Sequence, residues 1–149
     1  MAFHLRVPRA GDASALADLA GQLGYPSSVA QIRQRLAALD KREDHCILVA
    51  ADEDNRPIGW IHAFIAWRLE SGSFAEVGGL VVTETLRSQG IGAALLAAAE
   101  AWARAAGATA IRVRSNVVRR RTHGFYLDLG YQQGKTAHLF GKDLGNGTG

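Results

Sequence analysis

The sequence predicts one α+β domain, in which about four helices flank a mixed, mostly antiparallel central sheet of about six or seven strands. Strand-like and helix-like segments follow one another in the order β-α-α-β-β-β-α-β-α-β. Three strand-like segments in succession argue against a doubly wound parallel sheet. The 149 residues contain no repeat and no low-complexity linker. We therefore expect a single domain over residues 1–144 and a flexible tail over residues 145–149.

The first third of the chain predicts one short strand and two amphipathic helices. Residues 3–7 (FHLRV) have strand-like composition. Residues 11–24 place alanine and leucine at helical spacing, with Asp12 as the candidate N-cap and Gly24 as the stop. Residues 26–40 repeat that pattern after a pair of serines, either of which is a suitable cap.

The middle of the chain changes to the strand pattern. Residues 45–52 and 57–67 are apolar runs rich in β-branched and aromatic side chains. The polar turn DEDNR between them predicts a hairpin. Residues 74–82 (FAEVGGLVV) predict a third central strand by their composition.

The last third of the chain alternates between helix-like and strand-like segments. Residues 93–107 predict a helix whose small alanines allow it to lie close to a sheet. A strand over 109–115, a short helix over 120–130 and a last strand over 136–144 complete the prediction.

Composition and charge limit the classes of function. Hydrophobic residues make up 48% of the chain and charged residues 21%, with a net charge of +3, as in an ordinary globular protein. The single cysteine, Cys46, excludes an internal disulfide framework, and the scattered histidines indicate no metal site. The chain has no apolar run of about 18 residues. We therefore predict a cytoplasmic protein without a metal or a membrane partner.

A glycine-containing stretch, RSQGIG (87–92), joins the third central strand to the alanine-rich helix. A Walker loop is excluded, because Ala93 and Ala94 stand where lysine and serine or threonine are required. A dinucleotide fingerprint is disfavoured, because its third glycine position is Leu95 and the next strand carries no acid for a ribose. What remains is an R-x-x-G-x-G pattern that opens a helix.

Such a loop is suited to an oxyanion. Gly90 and Gly92 let the backbone approach a phosphate, and the first-turn N–H groups lack intrahelical partners and lie at the positive end of the helix dipole. Arg87 adds a charge. An ordinary glycine-rich helix start stays open as the alternative.

Beyond this loop, the stretch GGLVVTETLRSQGIGAALLAAAEAWARAAGA and the downstream FYLDLGY resemble the GNAT superfamily of acyl-CoA-dependent N-acyltransferases. The superfamily pattern V-x-x-x-x-[QR]-x-x-G-x-[GA] is matched in register by Val82, Arg87, Gly90 and Gly92. The resemblance extends to the order of elements over nearly the whole chain, and it implies a GNAT-like sheet.

The resemblance implies acetyl-CoA as the cosubstrate. The pyrophosphate would lie on the loop residues Arg87, Ser88, Gln89, Gly90, Ile91, Gly92 and Ala93. The acetyl carbonyl and the pantetheine arm would meet backbone groups of Leu80, Val81 and Val82. Gly78 and Gly79 stand where the family has a β-bulge, although two small residues beneath a packed aromatic ring are the alternative.

Two side chains match the acid–base roles of the superfamily. Glu76 is the only acid inside the apolar strands and stands where histone-acetylating members carry their base. Tyr126 in GFYLDLGY matches the tyrosine that protonates the departing thiolate. Each has a structural alternative, an acid at a frayed strand start for Glu76 and an aromatic packing residue for Tyr126.

Three further residues have roles that the superfamily pattern leaves open. Where members often carry an asparagine seven residues before the tyrosine, this chain has Arg119, and Asn116 lies three residues earlier. Either Asn116 contacts coenzyme A from the strand end, or Arg119 contacts its phosphates. His62 alternates with Trp60 and Phe64 near the acceptor region of the family, as a core residue or as a second base.

The resemblance implies an N-acetyltransferase that acts on a primary amine of a small molecule or an amino terminus through a ternary complex. A non-catalytic coenzyme-A-binding sensor is the alternative. The arginine run IRVRSNVVRRR lacks interleaved aromatic residues, so we expect no nucleic-acid partner. A DNA-binding domain that uses this arginine run is kept as the third hypothesis. The acceptor, a small-molecule amine or a peptide, is not identified by the sequence. Homodimers are frequent in the superfamily.

Overall fold

The computed structural model describes residues 2–114 and 120–145, apart from the side chains of Arg120 and Arg121. The chain divides into two units, Met1–Arg114 and Ser115–Gly149. The helices and strands of the first unit are β1 (His4–Arg6), α1 (Ala13–Leu23), α2 (Val29–Leu39), β2 (His45–Ala51), β3 (Pro57–Arg68), β4 (Gly72–Val82), α3 (Ile91–Ala105) and β5 (Ile111–Val113). The second unit holds α4 (Arg120–Asp128).

The five strands form one sheet in the order β1-β2-β3-β4-β5. The first four strands pair antiparallel, and β5 lies parallel to β4. The predicted mixed, mostly antiparallel α+β class is therefore confirmed, including the central hairpin. The described residues hold five strands rather than six or seven, because residues 136–144, predicted as a last strand, take no strand conformation.

Helix α1 follows a 3-10 turn, Ala10–Asp12, and Gly24 ends it with a φ of 100°, as predicted. Asp12 occupies the N-cap position, but its carboxylate does not cap the helix. The carboxylate instead accepts two hydrogen bonds from the Arg6 guanidinium, at 2.7 and 2.9 Å, and one from the Arg9 N–H at 2.7 Å. These bonds connect β1 to the start of α1.

The remaining helix ends of the first unit follow ordinary capping chemistry. Ser28, one of the two predicted caps, accepts from the Gln31 N–H at 3.0 Å, and the Gln31 side chain accepts from the Ser28 N–H at 2.9 Å. Gly107, the predicted stop of the third helix, follows α3 with a φ of 89°.

The two faces of the sheet carry different helices. Leu95 of α3 lies against Gly59 of β3, where an added Cβ would stand 3.4 Å from its Cδ1. Leu23 of α1 lies near Gly79 of β4 and Trp60 of β3, on the other face. The core therefore fills both sides of the central strands, and the α1 face carries the polar side chains discussed below.

Candidate functional site

The pairing of β3 with β4 contains a β-bulge at the two adjacent glycines. His62 pairs with Gly79, and the next residue, Ala63, pairs with Val77, which leaves Gly78 as the extra residue. A bulge of this kind turns one or more backbone groups away from the ladder. The predicted bulge at Gly78 and Gly79 is confirmed.

Both glycines also meet aromatic rings on the α1 face. A Cβ on Gly78 would stand 3.2 Å from Phe64 Cε1. A Cβ on Gly79 would stand 2.8 Å from Trp60 Cζ3, closer than real Cβ contacts allow. The alternative interpretation, small residues beneath packed aromatic rings, is therefore correct as well, and the bulge brings both glycines to one face.

The outer edge of β4 is paired over only part of its length. Ala75–Val77 pair with Ile111–Val113 of β5. Beyond Val77, the stretch Gly78–Val82 has no strand neighbour on that side among the described residues. Backbone groups along such an edge are available to an extended ligand. This edge contains the three residues predicted to meet the acetyl and pantetheine groups, Leu80, Val81 and Val82.

Side-chain hydrogen bonds hold the connection from β4 to α3 in place. After Val82 the chain forms a 3-10 turn, Glu84–Leu86, whose first N–H donates to the Gln22 side-chain oxygen at 3.0 Å. Arg87 turns back and its Nε donates to the Val82 carbonyl at 3.3 Å. No local pattern in the sequence indicates this contact of Gln22, because Gln22 lies 62 residues before its partner.

The start of α3 leaves its first-turn N–H groups open. Gly90 is the N-cap with a φ of 84°, and among the described residues no side chain caps the helix. An added Cβ on Gly90 would meet nothing within 4 Å. Within the described part of the chain, the N–H groups of Ile91, Gly92 and Ala93 therefore have neither an intrahelical partner nor a side-chain cap. They lie at the positive end of the helix dipole. Ser88 also has a positive φ, 71°.

Glu76 lies well inside β4, so the interpretation as an acid at a frayed strand start is wrong. It pairs with Phe64 of β3 and with Arg112 of β5. Its Oε1 lies 3.6 Å from Arg68 Nη2. Both arginines lie over the buried Phe74 ring, at 5.3 and 3.9 Å from its centroid. The carboxylate is thus partly buried among positive charges.

A histidine pair lies on the same face. His45 Nδ1 and His62 Nε2 are 2.9 Å apart, and their rings stack with centroids at 5.1 Å. His45 also stacks on Phe64. Burial, followed by the charge of His45, lowers the pKa of His62 to about 4. In the sequence His45 is one of several scattered histidines, because only the strand register reveals the pair.

Tyr126 lies in α4 of the second unit. Its ring makes edge contacts with Phe125 and Tyr131, at 5.2 and 5.6 Å between centroids. Only 9% of its surface is exposed, and burial raises the pKa of its hydroxyl to about 12. The hydroxyl is therefore protonated at neutral pH. Asn116 and Arg119 lie outside the described residues.

Two features are absent from the described part of the chain. No group of three or more histidine, cysteine, aspartate or glutamate side chains there is placed to hold a metal ion. None of the described helices is long and apolar enough to cross a membrane.

Comparisons with known proteins agree on one family. The profile of the Acetyltransferase (GNAT) family matches residues 15–131. Over 77 residues the chain is 40% identical to the aminoalkylphosphonate N-acetyltransferase of Salmonella typhimurium, a match that covers 51% of this chain and 50% of that protein. Over 101 residues it is 30% identical to the aminoglycoside N(6')-acetyltransferase type 1 of Klebsiella aerogenes, covering 66% of each protein. The matches thus span about half and two thirds of these relatives.

Solved structures share the fold at low identity. The aminoglycoside 6'-N-acetyltransferase AAC(6')-Ih from Acinetobacter baumannii superposes with a TM-score of 0.82 at 19% identity, over 97% of this chain and 100% of that one. Glucosamine-6-phosphate N-acetyltransferase from Arabidopsis thaliana gives a TM-score of 0.81 at 16% identity, over 96% and 100% of the two chains.

Proposed function

Because this chain belongs to the Acetyltransferase (GNAT) family, we propose that it transfers an acetyl group from acetyl-CoA to a primary amine by direct attack in a ternary complex. The observation that carries the proposal is the edge of β4 at Gly78–Val82, followed by the start of α3, neither of which has a strand neighbour or a side-chain cap among the residues that the structure describes. The first offers backbone groups to an extended arm, and the second offers N–H groups to a pyrophosphate.

Coenzyme A would bind along this path. The pyrophosphate accepts from the N–H groups of the first turn of α3, where Gly90 leaves the approach clear. Arg87, exposed and held to Val82, supplies a charge-assisted contact once its side chain turns outward. The loop residues Ser88 and Gln89 complete the cradle. A contact from Asn116 or Arg119 remains a prediction.

The transfer itself requires three kinds of group. Attack of an amine on the thioester forms an oxyanion, and a backbone N–H beside the bulge, at Leu80, is proposed to stabilise it. Glu76 is proposed to hold the acceptor ammonium and to take its proton directly or through water. Tyr126, protonated at neutral pH, is proposed to give a proton to the departing thiolate.

A small-molecule amine is the acceptor that the comparisons favour. The two curated relatives are named for aminoalkylphosphonates and for aminoglycosides, both of which are small amines. An amino terminus or other peptide amine is the second acceptor class. We also propose that residues 1–144 act as one acetyltransferase domain, which the match across residues 15–131 supports, and that the protein works in the cytoplasm, where acetyl-CoA is available.

The test is a thiol-release assay with acetyl-CoA against a panel of aminoalkylphosphonates, aminoglycosides, polyamines and peptides, paired with calorimetric titration of acetyl-CoA. Acceptor-dependent thiol release, with the acetylated amine found by mass spectrometry, supports the proposal. Acetyl-CoA binding with only slow hydrolysis across the whole panel would instead favour the coenzyme-A-binding sensor.

A further inference from the structure

We propose that His62 and His45 form a proton relay, in which His62 takes a proton from the acceptor ammonium and His45 passes one to water. The relay rests on the acetyltransferase function proposed above and gives the ammonium a second route for its proton, beside the transfer to Glu76. His62 would touch the acceptor and is a catalytic candidate. His45 acts through His62 and is a positioning residue.

The positions of the two histidine rings provide a path for the proton. Nε2 of His62 is hydrogen-bonded to Nδ1 of His45 at 2.9 Å. The other ring nitrogen of His62, Nδ1, is therefore the one that can meet the acceptor. That nitrogen faces the bulge, since a Cβ on Gly78 would lie 3.4 Å from it. Gly78 is exposed, and among the described residues Nδ1 of His62 has no hydrogen-bond partner. The free nitrogen therefore points at the open edge where the acetyl group is proposed to lie.

The partner ring is needed because His62 cannot hold a proton by itself at neutral pH. Its pKa is lowered to about 4, so a proton that stayed on the ring would be strongly disfavoured. If Nε2 releases a proton to His45 while Nδ1 receives one, the His62 ring stays neutral throughout. The hydrogen bond between the two rings supplies that second step.

One carboxylate and two arginines lie on the sheet face that carries the pair. On the same sheet face lies the Glu76 carboxylate, with Arg68 at 3.6 Å and Arg112 opposite it on β5. On the α1 side the face is met by the apolar side chain of Leu23. The carboxylate is thus available to hold the ammonium near the pair.

The proton balance closes with the groups named. The N–H bond of the ammonium breaks, its electrons become the amine lone pair, and the proton forms a bond to Nδ1 of His62. Nε2 of His62 gives its proton to Nδ1 of His45, and Nε2 of His45 gives its proton to water. The amine then attacks the thioester. After the product leaves, Nδ1 of His62 gives its proton to water and Nε2 of His45 takes one from water. The proton between the rings returns from Nδ1 of His45 to Nε2 of His62, which restores the starting tautomers.

The experiment compares kcat and kcat/KM between about pH 5 and 9 for the wild type, His62→Gln and His45→Phe, with the amine found in the acceptor panel. His45→Phe keeps the stacking on Phe64 but removes the ring nitrogens. His4→Gln, an exposed histidine on β1, is the matched control. Titration with acetyl-CoA verifies that each variant is folded.

We expect His62→Gln to lower kcat by ~100-fold at neutral pH with an unchanged acetyl-CoA affinity. We expect imidazole to restore activity to His62→Ala. His45→Phe should lower kcat by ~10-fold and make the rate depend on the concentration of buffer base, which a structural role would not do.

The outcomes separate the two proposals. A wild type that acetylates amines, with both variants retaining its kcat and pH profile, would overturn the relay and leave the transferase function standing. A wild type that binds acetyl-CoA but acetylates nothing overturns both. If His62→Gln no longer binds acetyl-CoA, the buffer dependence of His45→Phe decides the question.

Discussion

Glu76 Oε1 lies 3.6 Å from Arg68 Nη2, which is near enough for charge attraction but longer than a hydrogen bond. The carboxylate is therefore oriented by the arginine without being locked to it. A cationic acceptor is able to compete for the same oxygen, because both groups lie on the sheet face that carries His62 and the bulge. This loose pairing leaves the Glu76 carboxylate available for the acceptor-binding role proposed for it.

Replacing Glu76 tests its role towards the acceptor. Glu76→Gln keeps the shape but removes the charge, so we expect kcat/KM for the amine to fall by ~10- to 100-fold while acetyl-CoA affinity is retained. Glu53→Gln, in the exposed β2–β3 turn, is the control. Wild-type kinetics in Glu76→Gln would contradict the assignment.

Replacing Gly90 tests the proposed pyrophosphate loop. Gly90→Ala introduces a Cβ at a φ of 84°, and Gly107→Ala introduces one at 89°, beyond the other end of α3. Both should lose ~1 kcal/mol of unfolding free energy, because the left-handed region disfavours a Cβ. Only Gly90→Ala should weaken coenzyme A binding, by ~10-fold or more in a calorimetric titration.

Equal coenzyme A affinities in the two variants would show that the loop holds no phosphate. A loss confined to Gly90→Ala could not be explained by stability, because the control carries the same backbone strain at the far end of the same helix.

The contact between Gly79 of the bulge and the Trp60 ring allows a separate prediction about packing. Gly79→Ala would place its Cβ 2.8 Å from the Trp60 ring, so we expect a loss of ~1–3 kcal/mol in urea unfolding. Gly21→Ala, in α1 with open space around it, should gain ~0.5–1 kcal/mol. A Gly79→Ala variant as stable as the wild type would mean that Trp60 moves freely aside.

Tyr126 is proposed to act through its hydroxyl. Tyr126→Phe keeps the ring contacts with Phe125 and Tyr131 and removes only that group. We expect kcat to fall by ~10- to 100-fold with little change in acetyl-CoA affinity, measured by steady-state kinetics and titration. Full activity in this variant would restrict the tyrosine to a packing role.

What the sequence predicts well is local along the chain. Val82, Arg87 and Gly90 lie within nine residues, so one pattern contains the strand end, the connection and the helix start. The cap at Ser28 and the stop at Gly24 are equally local and equally correct. Spacing along the chain is enough for these features, because their partners lie within one turn.

The sequence does not predict features that depend on a partner from a distant part of the chain. His45 meets His62 only because β2 and β3 pair in a particular register, and Gln22 reaches a backbone N–H that lies 62 residues away. Residues 136–144 have strand-like composition but take no strand conformation, with Leu139 and Phe140 87% and 90% exposed. A strand requires a neighbouring edge, and composition does not identify one.

The buried His62 gives the stability a defined pH dependence. Its pKa is about 4 in the folded chain and 6.5 in an unfolded one, so the unfolded state binds more protons between these values. The stability it contributes is therefore fully present above pH 6.5 and is lost as the pH falls towards 4. The full shift corresponds to ~3 kcal/mol, and partial exposure of the ring reduces the effect to ~1–2 kcal/mol.

Urea unfolding of the wild type, His62→Gln and His62→Phe at pH 7 and near pH 4.5 measures this effect. The wild type should lose ~1–2 kcal/mol more than either variant between the two pH values, because neither variant titrates at this position. Carboxylates that titrate over the same range affect all three proteins alike and cancel in the difference. An identical loss in all three proteins would show that the ring is not desolvated, and the need for a relay through His45 would disappear with it.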